Sequence, residues 1–358
     1  MKRILTIIGA RPQIIKAAAI SRAIKAHFAD RIEEHILHTG QHYDANMSEV
    51  FFRELGVPKP NYNLHVGSAS HGVQTARMIE GIEAVLINTH YDGVLVYGDT
   101  NSTLAAAVAA SKLQVPIFHV EAGLRSYNMS MPEEINRIVC DRLSSLLFAP
   151  TMTAVRNLEK EGITQGVVLS GDVMYDNALY YGQSPMVNGK LPIDKPFVLA
   201  TIHRPANTDN KENLQSIFQA LQNIAKTGVE VVLPLHPRTR ERMKAYGLQV
   251  SGIRLIEPAS FLEMIALEKH AAVVLTDSGG VQKEAFFYGT PSVILRPETE
   301  WIEIVEAGAG ILADADQARI LAAYRQLVNK KISFPPLFGD GHASEKIVEE
   351  LVRFLSKK

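Results

Sequence analysis

The chain has 358 residues, of which 46% are hydrophobic and 21% are charged, and its formal net charge is −1 at pH 7. This length suits two domains of ordinary size, and the composition is that of a globular protein. The near-zero charge gives no overall attraction to nucleic acid or to an anionic membrane, so we expect neither as a partner.

Cys140 is the single cysteine, so no intramolecular disulfide can form, which suits a reducing cytoplasm. The apolar N-terminal run Ile4–Ile8 is shorter than the core of a signal peptide and predicts a buried strand. No apolar stretch approaches the ~18 residues that a membrane-spanning helix needs. We therefore expect a cytoplasmic protein.

Short apolar runs alternate with helical patterns along the first half of the chain, which predicts βαβ units on a parallel sheet. The predicted strands are Arg3–Ile8, Glu33–His38, Gly93–Tyr97, Pro116–Val120, Ser145–Ala149 and Val167–Ser170. The predicted helices are Ile14–Phe28, Met47–Leu55, Val73–His90, Ser102–Leu113, Glu133–Leu143 and Thr151–Lys160. This series indicates one doubly wound domain.

The segment Ser184–Lys195 loses this periodicity and contains turn-forming residues, which indicates a linker. A second series of strands follows it, at Phe197–Thr201, Val229–Pro234, Ile253–Ile256, Ala272–Thr276 and Ser292–Leu295. Helices are predicted near Asn213–Lys226, Phe261–Leu267, Gln282–Phe287, Gln317–Val328 and Ala343–Leu355.

These patterns predict an α/β protein with two doubly wound, Rossmann-like domains, residues 1–183 and 196–340. A C-terminal helix over 341–358 completes the prediction, and packing back on the first domain is one option for it. Because such folds bind ligands at the carboxyl ends of their strands, we expect both sheets to face a central cleft.

The first polar turn, Gly9–Lys16, follows the first strand and opens the first helix. Pro12 suits a helix start, whose free N–H groups favour an anion, and Arg11 and Lys16 are candidates to neutralise phosphate. An ordinary glycine turn with two solvated basic residues is the plainer interpretation. The chain contains no GxGxxG and no GxxxxGK(S/T) sequence after a strand, which removes the main support for NAD or P-loop chemistry.

Three segments that end a strand or begin a helix carry carboxylates. Asp99 and Glu121 each follow a predicted strand, and Glu133 opens a helix. Helix capping by Asp99 or Ser102, and pairing of Glu121 with Arg125, are the plainer explanations. Because capping does not explain all three acids, they are candidates for acid–base chemistry.

The second half of the chain supplies hydrogen-bond donors at strand ends. His203 and His236 each lie near an arginine, which fits an anionic ligand better than two structural histidines. Ser278–Gly280 follows another strand and enters a helix, where backbone N–H groups can approach a diphosphate. A simple N-capped helix is the plainer reading of this segment. No cluster of Cys, His or Glu completes a metal site, so we expect no metal.

Eight motifs occur in order between Gly9 and about Trp301: GARPQIIK, TGQH, GDTNST, HVEAGLR, MPEEINR, GDVMYD, His203-Arg204 and DSGGVQKE. In this order they resemble the non-hydrolysing UDP-N-acetylglucosamine 2-epimerases. The resemblance implies a GT-B-like fold, shared with two-domain sugar-nucleotide glycosyltransferases. It also implies a homodimer that works without NAD or metal.

The resemblance further implies a mechanism. UDP is eliminated across C1–C2 to give a 2-acetamidoglucal and is then added back, with the proton returned to the other face of C2. The residues that match catalytic positions of the family are Asp99, Glu121, Glu133 and His203. Those that match substrate-binding positions are Arg11, Lys16, Arg137, His236, Ser278, Gly279, Gly280 and Glu284.

Some positions depart from the common form of this family. Gln13 stands where glutamate is usual, Trp301 where arginine is common, and Pro205–Asn207 where Arg-Glu-Asn is usual. The sequences GARPQ, TGQHYD and ETEW resemble the branch that acts on UDP-2,3-diacetamido-2,3-dideoxyglucuronate, a precursor of surface polysaccharides. The sugar is thus N-acetylglucosamine or this diacetamido-uronate.

Three other functions stay open on the sequence. A UDP-sugar glycosyltransferase shares the implied fold and diphosphate site but needs only one catalytic base. A hydrolysing 2-epimerase would release free N-acetylmannosamine and UDP. A catalytically silent sugar-nucleotide sensor would have no use for three carboxylates.

Overall fold

The computed structural model of the chain describes residues 1–41, 52, 55–188, 193 and 196–357. The chain forms two compact units by its internal contacts. The first unit comprises Met1–Asn177 and Leu337–Lys358, and the second comprises Ala178–Pro336. The predicted helix Met47–Leu55, except for Phe52 and Leu55, and half of the predicted linker lie outside the described residues.

The first unit is built on a seven-stranded parallel sheet. Its strands are β1 (Lys2–Ile8), β2 (Ile32–His38), β3 (Tyr62–Asn63), β4 (Gly93–Tyr97), β5 (Ile117–Val120), β6 (Leu146–Ala149) and β7 (Val167–Leu169). They lie in the order β3-β2-β1-β4-β5-β6-β7.

Helices connect these strands. The first, Arg11–Ala23, continues as a π-helical turn, Ile24–Phe28. The others in this unit or at its boundary are His71–Asn88, Asn101–Lys112, Pro132–Leu143, Met152–Lys160, Val173–Tyr181 and Ala343–Ser356. Among the described residues, no helix combines the length and the apolar character needed to cross a membrane.

The second unit has a six-stranded parallel sheet in the order β10-β9-β8-β11-β12-β13. Its strands are β8 (Phe197–Thr201), β9 (Glu230–Pro234), β10 (Ile253–Ile256), β11 (Val273–Thr276), β12 (Ser292–Ile294) and β13 (Gly310–Leu312). Its helices are Pro185–Asn188, Pro205–Thr208, Lys211–Ala225, Pro237–Tyr246, Phe261–His270, Gly279–Phe287, Ile302–Glu306 and Gln317–Val328.

The central strands are buried throughout. All five residues of β4 and of β8 are buried, as are those of β11. Helices cover both faces of such parallel sheets, so their strands are continuously apolar instead of alternating. The strand order reverses between β1 and β4 and between β8 and β11, and loops at such a switch point form the usual ligand site.

The predicted α/β class is confirmed, and each predicted strand is present with its ends shifted by at most one residue. The sequence missed β3 and β13, which have two and three residues. It also missed the helix Pro237–Tyr246, because the polar sequence PRTRERMKAY has few apolar positions. The domain limits drawn from the sequence stay a prediction.

The last helix, Ala343–Ser356, is capped by a residue far away in the chain. The Asp176 carboxylate accepts hydrogen bonds from Ala343 N at 3.1 Å and from Ser344 N and Oγ at 2.6 Å. An acidic side chain satisfies the free N–H groups at a helix start and complements the helix dipole. Asp176, within the GDVMYD motif, thus fastens the C-terminal helix to the first unit.

Replacing Asp176 with alanine should lower the free energy of unfolding by about 1–3 kcal/mol, because the buried N–H groups of Ala343 and Ser344 lose their acceptor. Urea denaturation followed by circular dichroism measures this loss. Glu349→Ala changes an exposed acid on the same helix and should stay within about 0.5 kcal/mol of the unsubstituted protein. Equal stability of the two variants would contradict the capping role.

Candidate active site

The loops after β1, β2 and β4 meet at Gly9. A Cβ added to Gly9 would lie 2.1 Å from Ser102 Oγ and 2.2 Å from Thr39 Oγ1, and these two hydroxyls are 2.8 Å apart. Only glycine leaves room for such an approach. Three sequence motifs are therefore brought together at the carboxyl edge of the first sheet. The last residue of TGQH, His42, lies outside the described residues.

Gln13 holds this turn through all parts of its buried amide. Its Oε1 accepts from Gly9 N at 2.8 Å, and its Nε2 donates to Tyr97 O at 2.9 Å and Thr103 Oγ1 at 3.0 Å. An amide can donate and accept at once, whereas an ionised glutamate can only accept. Glutamine is thus the residue that satisfies every group at this position.

Glu121 forms an ion pair with Lys16 from the first helix. The two side chains are only 9% and 13% exposed. They flank Gly98, because a Cβ there would lie 3.1 Å from Lys16 Nζ and 3.2 Å from Glu121 Oε2. The plainer explanation, a pairing of Glu121 with Arg125, is wrong, since Arg125 bonds Asp141 at 2.7 Å and also pairs with Glu161.

The backbone of Glu121 lies in the left-handed region, with φ at +71°. Two hydrogen bonds fix this bend, from Glu121 N and Ala122 N to Phe148 O, both at 3.1 Å. A residue with a side chain adopts this conformation at a cost of about 1–3 kcal/mol, and such strain concentrates at functional sites. The bend at the end of β5 is therefore a strained position that carries the Glu121 carboxylate, held by the neighbouring strand β6.

Asp99 lies beside this pair and contacts Arg137. The Arg137 Nη2 donates to Asp99 Oδ2 at 2.5 Å, and Asn136 Nδ2 donates to Asp99 O at 2.8 Å. The helix that follows is capped by Thr100, whose hydroxyl accepts from Thr103 N at 3.4 Å. The plainer explanation, that Asp99 or Ser102 caps this helix, is wrong. Asp99 is thus available for chemistry with a cation at its side.

The two acids of MPEEINR differ completely in environment. Glu134 is buried and accepts from Ser126 N at 3.0 Å, from Tyr127 N at 2.8 Å and from Arg137 Nη1 at 2.9 Å. Burial raises the pKa of Glu134, but these donors outweigh it and hold the pKa below its usual range. Glu133 is exposed in the first helical turn. Glu134 therefore builds the site, and Glu133 is free of that structural task.

Arg11, at the first position of its helix, is exposed. Together with Arg11, five other predicted site residues lie in the first unit: Lys16, Asp99, Glu121, Glu133 and Arg137.

His119 is a charged imidazole at the centre of the first unit. Its Nδ1 lies 2.7 Å from Asp141 Oδ1 and its Nε2 lies 2.8 Å from Gly98 O, and neither partner can donate. Both ring nitrogens must therefore carry a proton. Burial lowers the pKa of His119, but Cys140 and Asp141 outweigh it and raise the pKa well above 6.5. The imidazolium fixes the turn that carries Asp99.

Because folded His119 holds a proton, we expect the protein to lose stability as the pH rises. Because the unfolded chain releases the His119 proton near pH 6.5 and the folded chain retains it, the free energy of unfolding should fall as pH rises above 6.5. The slope from this one group is about −1.4 kcal/mol per pH unit until the folded pKa is reached. Urea denaturation at several pH values measures it. His119→Gln should flatten the slope by that amount, and an unchanged slope would refute the charge assignment.

In the second unit, Asp277 organises the loop after β8. Its fully buried carboxylate accepts from His203 N at 3.1 Å, from Arg204 N at 3.0 Å and from Asn207 Nδ2 at 3.1 Å. β8 and β11 are neighbours at the switch point of their sheet, which brings the two loops together. Asp277 therefore places His203 at the carboxyl edge of this sheet.

The rings of His203 and His236 lie 5.6 Å apart between centroids. Nδ1 of His203 faces Asp277 Oδ1 at 3.4 Å, which places the proton of a neutral ring on Nδ1 and leaves a lone pair on Nε2. Burial lowers the pKa of His203, Asp277 partly offsets this, and Arg204 lowers it further. Burial, His203 and Arg238 lower the pKa of His236. Both rings are therefore neutral at neutral pH, and Nδ1 of His236 accepts from Arg238 N at 3.2 Å.

The DSGG sequence begins the helix Gly279–Phe287 with Ser278 as its N-cap, whose hydroxyl accepts from Val281 N at 3.4 Å. The plainer interpretation therefore holds for Ser278. Gly279 and Gly280 occupy the first turn, where N–H groups have no partner within the helix. Glu284 lies further along this helix and is half-buried. The nearby Glu268 is buried, and burial and the charge of Glu284 raise its pKa well above 4.5.

The predicted site residues of the second unit are His203, His236, Ser278, Gly279, Gly280 and Glu284. Sequence reasoning missed several residues that hold the site: Gln13, His119, Glu134, Asp141 and Asp277. Most of them lie within the motifs quoted above, but the sequence does not show the contacts that give these residues their roles. Within the described residues, no three His, Cys, Asp or Glu side chains are grouped to hold a metal ion.

Each unit is doubly wound, and the first carries acids and the second histidines at the carboxyl edge of its own sheet. The family model of the UDP-N-acetylglucosamine 2-epimerases matches residues 24–352. A protein of Pseudomonas aeruginosa named UDP-2,3-diacetamido-2,3-dideoxy-D-glucuronate 2-epimerase is 50% identical over 98% of this chain and 99% of its own length.

Solved structures agree with this match. The Methanocaldococcus jannaschii UDP-GlcNAc 2-epimerase, crystallised with UDP-GlcNAc and UDP, superposes with a TM-score of 0.89 at 41% identity, covering 98% of this chain and 99% of that one. The Neisseria meningitidis UDP-GlcNAc 2-epimerase bound to UDP-GlcNAc gives 0.90 at 30% identity, covering 98% and 100%. The chain belongs to the UDP-N-acetylglucosamine 2-epimerase family, and as an epimerase it is an isomerase.

Proposed function

We propose that this protein inverts C2 of a UDP-linked 2-acetamido sugar by eliminating UDP and adding it back. The observation that carries the proposal is the arrangement around Gly98. Lys16 and Glu121 flank this glycine as an ion pair, and Asp99 follows it in contact with Arg137. Two carboxylates, each beside a cation, thus stand at the ends of neighbouring strands.

Inversion at C2 needs such a set of groups. One group takes the proton from C2 while the C1–O bond to UDP breaks, which leaves a 2-acetamidoglucal and free UDP in the site. UDP then attacks C1 of the glucal, and a second group delivers a proton to the opposite face of C2. We assign these two proton transfers to the set Asp99, Glu121 and Glu133, without dividing the faces among them.

The departing diphosphate must be stabilised, because the proton at C2 is only weakly acidic. Cations and N–H donors aimed at the developing charge lower the barrier to departure. We assign this role to His203, His236 and Ser278–Gly280, with Glu284 accepting from the ribose hydroxyls. Arg11, Lys16 and Arg137 add positive charge in the first unit.

For the sugar, we propose UDP-2,3-diacetamido-2,3-dideoxyglucuronate, with UDP-N-acetylglucosamine as the alternative. The 50% identity over nearly the whole chain with a relative of that name supports the diacetamido sugar. The protein would then supply a precursor of surface polysaccharides. We further propose that the protein is a cytoplasmic homodimer. Light scattering on the protein as it elutes from a size-exclusion column measures its mass and so tests the dimer.

Solvent exchange tests the reaction. The protein is incubated in D2O with each of the two UDP-sugars, and the C2 proton is followed by NMR. We expect deuterium at C2, two epimers at equilibrium and an intact UDP linkage with the preferred sugar. A hydrolysing epimerase would instead accumulate UDP and free sugar. Absence of exchange with both sugars would overturn the proposal.

A glycosyltransferase would bind the same nucleotide sugar without exchanging C2. Binding of UDP by calorimetry, in the absence of any exchange, would therefore favour a transferase or a sensor. The control variant is Glu159→Gln, which changes an exposed acid in the first unit. It shows that a folded variant and the same sugar sample react normally when the substitution lies outside the site. It should exchange C2 at the rate of the unsubstituted protein.

A further inference from the structure

Glu268 carries a carboxyl group that the proposed reaction does not use. It lies in the helix Phe261–His270 and is fully buried. Its backbone is held in place, because Thr290 Oγ1 donates to Glu268 O at 2.8 Å. Among the described residues, neither side-chain oxygen of Glu268 has a hydrogen-bond partner. Buried polar side chains without a partner are rare in native proteins, so this carboxyl calls for an explanation.

The Glu268 carboxyl is neutral and has the charged Glu284 as a neighbour. Burial, and after it the negative charge of Glu284, raises the pKa of Glu268 well above 4.5. Burial and the charges of both acids also raise the pKa of Tyr288, so the three side chains lie close together. Because a second negative charge beside the first is unfavourable, the proton stays on the fully buried Glu268, and the half-buried Glu284 is the carboxylate.

A neutral carboxyl can donate a hydrogen bond, whereas a carboxylate can only accept. The Glu268 hydroxyl therefore needs an acceptor, because an unpaired donor in the interior costs the desolvation of the group. Of its two neighbours, Tyr288 is the weaker acceptor, since its oxygen is neutral and its hydroxyl donates to Ala178 O at 3.2 Å. The Glu284 carboxylate is the stronger one, because hydrogen bonds to an ionised acceptor are about twice as strong as those between neutral groups.

We propose that Glu268 is a positioning residue of the nucleotide site. When the ribose hydroxyls bind to Glu284, the Glu268 hydroxyl donates to the same carboxylate and fixes its orientation toward the ribose. A side chain that is held in its binding orientation loses less conformational freedom on binding, which raises the affinity for the ligand. Glu268 acts only through Glu284. The inference rests on the proposed binding of the ribose hydroxyls by Glu284.

The test compares UDP with 2′,3′-dideoxyuridine diphosphate, which lacks the hydroxyls that Glu284 is proposed to bind. Glu268→Met keeps a long unbranched side chain and removes the donor. Calorimetry should find its UDP Kd raised about tenfold, as for the loss of one hydrogen bond to a charged group, and its dideoxy Kd within about twofold of the unsubstituted protein. Glu268→Gln, whose amide keeps a neutral donor, should bind both ligands with a Kd within about twofold.

Three results of this comparison would overturn the inference. The first is a folded Glu268→Met variant with a normal UDP Kd. The second is a Glu268→Met variant that binds both ligands equally more weakly, since a merely structural role would act on the two alike. The third is a Glu268→Gln variant that binds UDP as weakly as Glu268→Met does.

Infrared spectroscopy gives a measurement that does not depend on the folding of Glu268→Met. The unsubstituted protein should show the C=O band of a protonated carboxyl that Glu268→Gln removes, and UDP should shift this band as the hydroxyl forms its new bond. Absence of the band, or a band that saturating UDP leaves unchanged, would also contradict the inference. If the unsubstituted protein binds no UDP, or binds the dideoxy ligand as tightly as UDP, the proposed function of the nucleotide site fails instead.

Discussion

Replacing Glu121 with glutamine should lower kcat for C2 epimerisation by about 10²- to 10⁴-fold, the usual contribution of a positioned acid or base. Glutamine keeps the size of the side chain but cannot exchange a proton. The affinity for UDP should stay within about twofold, because Glu121 is assigned to proton transfer and most groups assigned to UDP lie in the second unit. Initial rates by NMR and UDP calorimetry on the same samples measure the two quantities.

The partner of Glu121 sharpens this test. Lys16 pairs with the carboxylate, so the two side chains should act as one unit. In the double variant Lys16→Met, Glu121→Gln, the loss should be much smaller than the product of the two single losses. Asp99→Asn and Glu133→Gln should each lose turnover far more than UDP affinity as well. An acid whose variant exchanges C2 at a near-normal rate has no role in proton transfer.

Replacing Asp277 with asparagine should lower the free energy of unfolding by about 2–4 kcal/mol and reduce kcat/KM by about 100-fold. The carboxylate faces only donors, from His203 N, Arg204 N and Asn207 Nδ2. An amide would turn a fourth donor toward them. The loop that carries His203 must then move, and a shift of about 1 Å at a catalytic group costs about 100-fold.

Asp316→Asn is the matched control for this change. Asp316 caps the helix Gln317–Val328 through Arg319 N at 2.8 Å, and asparagine caps helices as well as aspartate does. Its stability should change by less than about 0.5 kcal/mol. Urea denaturation and steady-state rates compare the two variants. An Asp277→Asn protein of normal stability and normal kcat/KM would show that the carboxylate does not position His203.

The sequence predicted the fold well because the strands of a parallel sheet are buried on both faces. Such strands appear in the sequence as continuous apolar runs. Gly93–Tyr97 and Phe197–Thr201 are two examples, and both strands have the predicted bounds. The prediction failed for elements that do not produce a clear apolar pattern in the sequence. The strands β3 and β13 and the polar helix Pro237–Tyr246 were found only in the structure.

The environment of each site residue was not predictable in the same way. Glu133 and Glu134 are neighbours with the same chemistry, yet one is exposed and the other is buried on three donors. The helix start places them in different directions, and a sequence without contacts cannot tell which one faces the interior. The same holds for Asp277, which was counted as part of a motif and is the group that orients His203.

The sequence by itself determined the α/β class, the chain order of the motifs and the set of acids, histidines and glycines that the chemistry requires. These follow from local hydrophobic pattern and from residue type. Only the tertiary structure decided that Lys16, 105 residues away in the chain, is the partner of Glu121, and that Arg125 belongs to Asp141. Each of these ion pairs joins a helix to the segment that follows β5, and the tertiary packing of the whole unit brings the two together.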